Sequence, residues 1–369
     1  MKKHLIYLVD GTWMFSGKIK ANEGFTNIHK INSLLDYEDR TEDKSTQIVF
    51  YSRGLGSGKK ILSYSAGVLG WGIWDDIEEI YLNICSNYRR GDKIYLIGFS
   101  RGGIVARVVA GLLNIGLLKL ESTDHLNQIK TVYLNIADKI RRHGVQSPAD
   151  EGADLKSIRE FCQPEAIKVQ FLGIFDSVIG GYNSSRIFQE LNAVESMPAS
   201  NVKHAMQILA IDETRHLFRP NPFKGNAEKN SVDIEQIWFP GVHSDIGGGY
   251  ENSLLSDISL LTMLDRILKH TDLAVKYSGL ASQYCKKQSN PINIHNDFAQ
   301  MKFKIISFLA KKRSLVGANR SIHPIVDILN GDEITNKGVR VRYSASEFSE
   351  IPRSPLFISS ELGSAHLLL

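Results

Sequence analysis

KIYLIGFSRGGIVARVVAGLLNIGLL, residues 93–118, carries the pattern that decides the fold. Ile94 to Ile97 is a short apolar run of strand-forming residues. Gly98-Phe99-Ser100-Arg101-Gly102 is a G-x-S-x-G turn, and the Val-, Ala- and Leu-rich stretch after it reads as a helix. Strand, G-x-S-x-G and helix in that order make a nucleophile elbow, in which a serine is held in a strained conformation at the tip of a sharp turn. The chain passes close to itself there, and Gly98 and Gly102 leave the room. A helix starting at Arg101 points its first N–H groups and its positive dipole end at the serine oxygen.

Working outward, apolar runs alternate with amphipathic stretches. His4–Val9, Gln47–Tyr51, Ile167–Phe175 and Ile234–Phe239 read as strands. Helices are expected from a Thr26-Asn27 cap to about Tyr37, and over about 75–88, 124–142, 152–162, 201–211 and 254–270. Near-continuous apolar strands separated by helices predict a doubly wound, mostly parallel α/β sheet with right-handed crossovers. The catalytic domain is expected to span residues 1–290, with inserts at about 119–165 and 177–232 as walls or lid of a pocket. Residues 291–369 are expected to pack on it as an extension of unassigned role.

Composition narrows the function. The 369 residues are 43% hydrophobic and 23% charged, which is ordinary globular composition, and the net charge of +4 is weak. No Lys/Arg run is interleaved with aromatics, so no nucleic-acid partner is expected. Cys85, Cys162 and Cys285 lie far apart, without C-x-x-C spacing, and read as free thiols in a reducing compartment. The apolar run ending at Asp10 is too short for a signal sequence, and Arg107 interrupts the longest apolar stretch, so neither a signal peptide nor a membrane span is expected. The chain is expected to be cytoplasmic when synthesised.

A serine hydroxyl needs a base, and a histidine base needs a carboxylate to fix its tautomer and stabilise its charged form. In a doubly wound hydrolase these groups follow successive strands in the order Ser, Asp/Glu, His. Ser100, Asp176 and His243 meet that order. Of the 11 histidines, His243 is the one that directly follows an apolar strand and enters a glycine-rich stretch. Asp245, two residues on, is the alternative acid. The oxyanion hole is expected from the backbone N–H of Arg101 and from Gly11 or Thr12 after the first strand. Such a reaction calls for no cofactor and no metal.

Two motifs are decoys. RGLGSGKK (53–60) has Arg53 where a Walker A loop needs glycine, and Lys60 where it needs Ser or Thr. The DGT at 10–12 lacks the second aspartate of an aspartyl phosphatase. A metal-assisted phosphoesterase using Asp10, Asp176, His243 and Asp245 stays open as a rival, as does a non-catalytic interaction protein on a hydrolase scaffold.

GFSRGG (98–103), FLGIFDSV (171–178), IDETR (211–215) with the following FRPNP, WFPGVHSDIGGGY (238–250) and the opening LVDGTW together resemble one family. It is the bacterial and fungal α/β-hydrolase family that includes the phospholipase effectors of type VI secretion. The similarity runs from about residue 4 to about 270. It implies a serine esterase acting on glycerophospholipid acyl bonds with A1 or A2 selectivity, with Ser100 as nucleophile, Asp176 as acid and His243 as base. Where the family usually has Asp-Thr-Val, this chain has Asp176-Ser177-Val178. The resemblance also implies peripheral membrane contact and, as candidate partners, an immunity protein or a component of a type VI secretion apparatus. Phe218, Pro220, Pro222 and Phe223 are candidate lipid contacts.

Overall fold

Leu5 to Val9 is buried without a break, and alternate residues face opposite ways. Ile6 and Leu8 join one hydrophobic cluster, and Leu5, Tyr7 and Val9 the other. The same period of two recurs in residues 94–99, where Tyr95, Ile97 and Phe99 face the first cluster and Ile94 and Leu96 the second. A strand buried on both faces needs helices on both faces, which defines a parallel α/β layer structure.

The computed structural model describes residues 2–11, 23–36, 46–53, 72–143, 155–178, 197–215, 218–224, 232–276, 292–295, 312–336 and 339–355. In chain order the elements that build the core are β1 (Lys3–Val9), β2 (Glu23–Thr26), α1 (Asn27–Leu34), β3 (Thr46–Ser52), α2 (Ile73–Asn87), β4 (Lys93–Phe99), α3 (Arg101–Ile115), α4 (Leu126–His143), β5 (Val169–Phe175), β6 (Val202–Ala210) and β7 (Asp233–Phe239). They continue with α5 (His243–Gly247), β8 (Gly248–Tyr250), α6 (Leu254–His270), β9 (Asn293–Ile294) and β10 (Arg320–Ile322). Seven strands form one sheet in the order β10-β7-β6-β5-β4-β1-β3, and each neighbouring pair is parallel. Helices α1 and α6 cover one face; α2, α3 and α4 cover the other. The fold is therefore doubly wound α/β, of the α/β-hydrolase type.

Strand order reverses at β1. The chain moves from β1 outward to β3, then returns to place β4 on the other side of β1. A crevice opens at such a switch point, at the carboxyl ends of the strands. Gly11 and Ser100 follow the two strands that flank it.

Two expected helices are corrected. Residues 202–210 form β6, paired in parallel with both β5 and β7. Ala205, Met206, Leu209 and Ala210 are good helix formers, but the run Ala205–Ala210 is buried throughout. A gap between two strands that need ladder partners overrides that preference. Residues 152–162 do not form one helix either; in their described part Arg159–Phe161 is a single 3₁₀ turn. Residues 186–194, where the sequence also allows a short helix, lie outside the described residues. Beyond residue 290, β10 adds the edge strand to the main sheet by pairing with β7, so the C-terminal stretch enters the core.

The expected cap at Thr26 is present, its hydroxyl accepting from the His29 N–H at 3.1 Å. Cys85 and Cys162 are free and buried. Among the described residues no helix is long and apolar enough to cross a membrane.

Candidate active site

Ser100 sits between β4 and α3 with φ 58° and ψ −125°, outside the regions that non-glycine residues favour. A Cβ on Gly98 would fall 2.3 Å from the carbonyl oxygen of Gly102, so the turn closes only because position 98 has no side chain. The Ser100 N–H continues the sheet ladder to the Phe175 carbonyl at 3.0 Å, which brings the serine beside the end of β5. Asp176 follows there, also at positive φ (39°), and its own N–H donates to the Ile208 carbonyl at 2.7 Å. Both side chains are thus aimed by strained residues at the tips of adjacent parallel strands.

His243 begins α5, just after β7. Its Nε2 lies 2.9 Å from Ser100 Oγ, and its Nδ1 lies 2.7 Å from Asp176 Oδ2. Phe99 and Phe218 flank the imidazole, with ring centroids 4.7 and 4.9 Å away. The His243 N–H donates to Glu213 Oε2 at 3.2 Å, and Arg215 grips the same carboxylate with two side-chain bonds. The three side chains are almost closed to solvent: Asp176 is 0% exposed, His243 4% and Ser100 8%. Low dielectric strengthens each of these polar contacts.

Asp176 accepts four bonds. Besides His243, the Ala210 N–H reaches Oδ1 at 3.0 Å, and Arg313 reaches Oδ1 at 2.6 Å and Oδ2 at 3.0 Å. Burial alone would raise the carboxyl, but the Arg313 charge and the His243 bond outweigh it and hold Asp176 well below the usual carboxylate range. Asp245 faces elsewhere. It binds His295 Nδ1 at 2.6 Å and the Val242 N–H at 3.0 Å, bracing the turn that carries His243. Burial raises its carboxyl in spite of His295.

The Gly11 N–H, one of the two expected oxyanion donors after β1, donates to Asp10 Oδ1 at 2.8 Å. Thr12, the other, lies outside the described residues. Asp10 Oδ2 accepts from Thr26 Oγ1 and Tyr51 Oη, both at 2.7 Å, so one carboxyl joins the ends of β1 and β3 to the start of α1. Burial pushes Asp10 up to about 7, against the lowering pull of these bonds. Arg101 opens α3 beside the serine, and burial lowers its guanidinium to about 10.

Of the candidate lipid contacts, Phe223 is fully buried under the Arg107 guanidinium, 4.2 Å from its ring centroid, and belongs to the core. Phe218 packs on His243, and Arg215 lies 3.6 Å over its ring. Residues 54–60 of the phosphate-loop decoy lie outside the described residues.

The group among the described residues that could hold a metal ion is His204, Asp233 and His270. It lies at the starts of β6 and β7 and the end of α6, on the rim opposite Ser100. Its ligand atoms lie within 4.8 Å of one another, and His204 Nδ1 pairs directly with Asp233 Oδ2 at 3.0 Å. Arg266 and Lys269 line the same cleft of about 330 Å³ and oppose a cation there. This group is remote from the relay.

A serine on a strained elbow at the switch point of a doubly wound sheet, next to a buried histidine and aspartate, defines a protein of the α/β-hydrolase class. The chain belongs to the family described as "T6SS, Phospholipase effector Tle1-like, catalytic domain", whose model matches residues 3–266. It is 27% identical over 232 residues to the Uncharacterized protein YEL023C of Saccharomyces cerevisiae, covering 59% of this chain and 32% of the yeast protein. A Tle1 effector solved in complex with the VgrG spike of the type 6 secretion system is 18% identical, with a TM-score of 0.38 over 68% of this chain and 51% of that one. An uncharacterized protein from Pseudomonas aeruginosa is 16% identical, with a TM-score of 0.42 over 74% of this chain and 47% of that one. The chain thus spans about a third of the yeast relative and about half of each solved structure.

Proposed function

We propose that this chain is a serine hydrolase that cleaves acyl esters of glycerophospholipids, with phospholipase A1- or A2-type selectivity. The observation that carries the reading is the unbroken hydrogen-bond chain from Ser100 Oγ through His243 to Asp176, in a member of a phospholipase effector family.

In this mechanism His243 Nε2 takes the Ser100 proton as Oγ attacks the ester carbonyl. Asp176 stabilises the imidazolium and fixes the tautomer that carries its proton on Nδ1. The tetrahedral oxyanion forms beside the amino end of α3, where the Arg101 N–H is one donor. The second donor is proposed from the stretch after β1, Gly11 or Thr12. The intermediate collapses, the C–O bond breaks, and the leaving alkoxide takes the proton back from His243. Water activated by the same imidazole then frees the fatty acid from Ser100.

The carboxylates of the metal-assisted alternative have other partners. Asp10 holds Thr26 and Tyr51, Asp245 holds His295, and both oxygens of Asp176 face a guanidinium. Delivery by a type VI secretion apparatus, and contact with its components, are proposals supported by the family description alone.

The test is fatty-acid release from vesicles of defined phospholipids by the wild type and by Ser100→Ala. The reading expects release by the wild type, loss in Ser100→Ala, and labelling of Ser100 by a fluorophosphonate probe. Equal release by the two proteins would overturn it.

A further inference from the structure

Arg313 stands 137 residues after Asp176 and beyond the stretch that the family model matches. Its side chain is nonetheless 4% exposed and lies against the fully buried carboxylate of the relay. Nη1 donates to Asp176 Oδ1 and Nη2 to Oδ2, a two-pronged pairing that fixes the plane of the carboxylate. The same two nitrogens also reach the carbonyls of Ala210 at 2.9 Å and Phe218 at 2.6 Å. One guanidinium thus ties together the acid, the end of β6 and the segment whose Phe218 ring packs on His243. Nε is buried with no partner among the described residues. A buried, incompletely satisfied cation is a poor device for stability alone, since apolar side chains of similar volume often serve as well or better.

We propose that Arg313 is a positioning residue of the active site, holding the Asp176 carboxylate in register with His243 and making residues beyond the family domain part of the relay. The proposal rests on the Ser100–His243–Asp176 reading. Without Arg313 the carboxylate keeps only the Ala210 N–H and the imidazole, and it is free to turn. A misplacement on the order of 1 Å in such a relay costs about 100-fold in rate.

Arg313 also offsets part of the carboxylate charge that stabilises a protonated imidazole. The charged groups in contact with His243 are Asp176 from β5, at Nδ1, and Glu213 after β6, at the backbone N–H, with Arg215 paired to Glu213; Asp245, two residues on, pairs with His295. Arg313 is the cation joined directly to the acid of the relay. Removing it favours the imidazolium, so the acidic limb of the rate profile moves to higher pH.

The experiment compares the wild type with Arg313→Met, Arg313→Gln and Arg313→Lys. Expected for Arg313→Met are a fall in kcat of about 100-fold, KM within threefold of wild type, and an acidic limb of kcat/KM displaced upward. Arg313→Lys should return the limb toward its wild-type position without restoring kcat, because an ammonium cannot hold both oxygens. A second readout needs no substrate: the strongly downfield proton of the His243 Nδ1–H···Asp176 bond in NMR spectra, sharp in the wild type and broadened or lost in the Met and Gln variants. Because burial pushes Asp10 up to about 7, the limb is also compared in an Asp10→Asn background.

Folded Arg313→Met protein with wild-type kcat, an unmoved limb and an unchanged imidazole resonance would overturn the proposal. Should Arg313→Met fail to fold, the Lys and Gln variants carry the same test. A wild type no more active than Ser100→Ala would instead refute the hydrolase reading, while the resonance would still report whether Arg313 orders the pair.

Discussion

The Cβ that an alanine would carry at position 102 falls 2.2 Å from the carbonyl oxygen of Val9. Helix α3 therefore starts in contact with the backbone of β1, and that contact sets the depth at which Ser100 sits in the crevice. The atom in the way is backbone, so it cannot swing aside as a flexible side chain could. Gly102→Ala should force β1 and α3 apart, with the cost of about 1–3 kcal/mol typical of overpacking or more. The expected result is a lower thermal midpoint and sharply reduced fluorophosphonate labelling of Ser100. Wild-type labelling and stability together would show that the contact is unimportant.

Asp176→Asn and Asp245→Asn should separate the two candidate acids. Asparagine at 176 offers its amide to Nδ1 and favours the wrong imidazole tautomer, so kcat should fall by about four orders of magnitude. Asparagine at 245 keeps an oxygen for the Val242 N–H but weakens the His295 pairing. Its expected effect is a modest drop in melting temperature, with kcat within tenfold of wild type. Steady-state kinetics on a soluble ester, beside a melting curve, decides between them.

Two buried carboxyls should act on stability with opposite sign. Asp10, raised to about 7, binds a proton in the folded state that the unfolded chain has already lost. Its contribution therefore declines as pH climbs from about 4 to about 7, by about 4 kcal/mol at 1.36 kcal/mol per pH unit. Asp176, held low by Arg313 and His243 against the effect of burial, contributes fully above the ordinary carboxylate range and loses that contribution as pH falls below it. Relative to wild type, Asp10→Asn should gain in melting temperature between pH 4 and 7, on top of a pH-independent offset. A difference that stays flat across that window would show that Asp10 does not titrate there.

Arg107 interrupts the apolar helix in sequence and is 3% exposed. It donates to the Asn221 carbonyl at 2.6 Å and to Ser177 Oγ at 3.1 Å, and stacks on Phe223. It thus pins the residue next to Asp176 from behind. Arg107→Met should cost about 2 kcal/mol from charge-assisted hydrogen bonds and about 1 kcal/mol from the lost stacking. A melting temperature equal to wild type would show the network to be dispensable.

The rim positions of Ser100, Asp176 and His243 are legible in the chain because each follows an apolar run at the point where a parallel strand must end. Thr26 is legible for a similar local reason, since a cap acts within three residues. β6 is not: Ala, Met, Gln and Leu in 202–210 carry helix preference, and only the neighbours β5 and β7 make them a strand. Asp10 engaging the Gly11 N–H is also hidden, because a side chain folding back on the next residue leaves no periodic signal. Arg313 is the extreme case. One arginine among many in an irregular stretch has no local mark, and its partner is fixed by tertiary structure alone.

That separation has a consequence for timing. At elongation rates of about 5–20 residues per second, the 137 residues between Asp176 and Arg313 take on the order of ten seconds to translate. The edge strand Arg320–Ile322 emerges later still. A nascent chain on the ribosome therefore carries the serine, aspartate and histidine before it carries the guanidinium that holds the aspartate. Such a molecule completes its centre with residues made later, and its newborn form is still unfinished there.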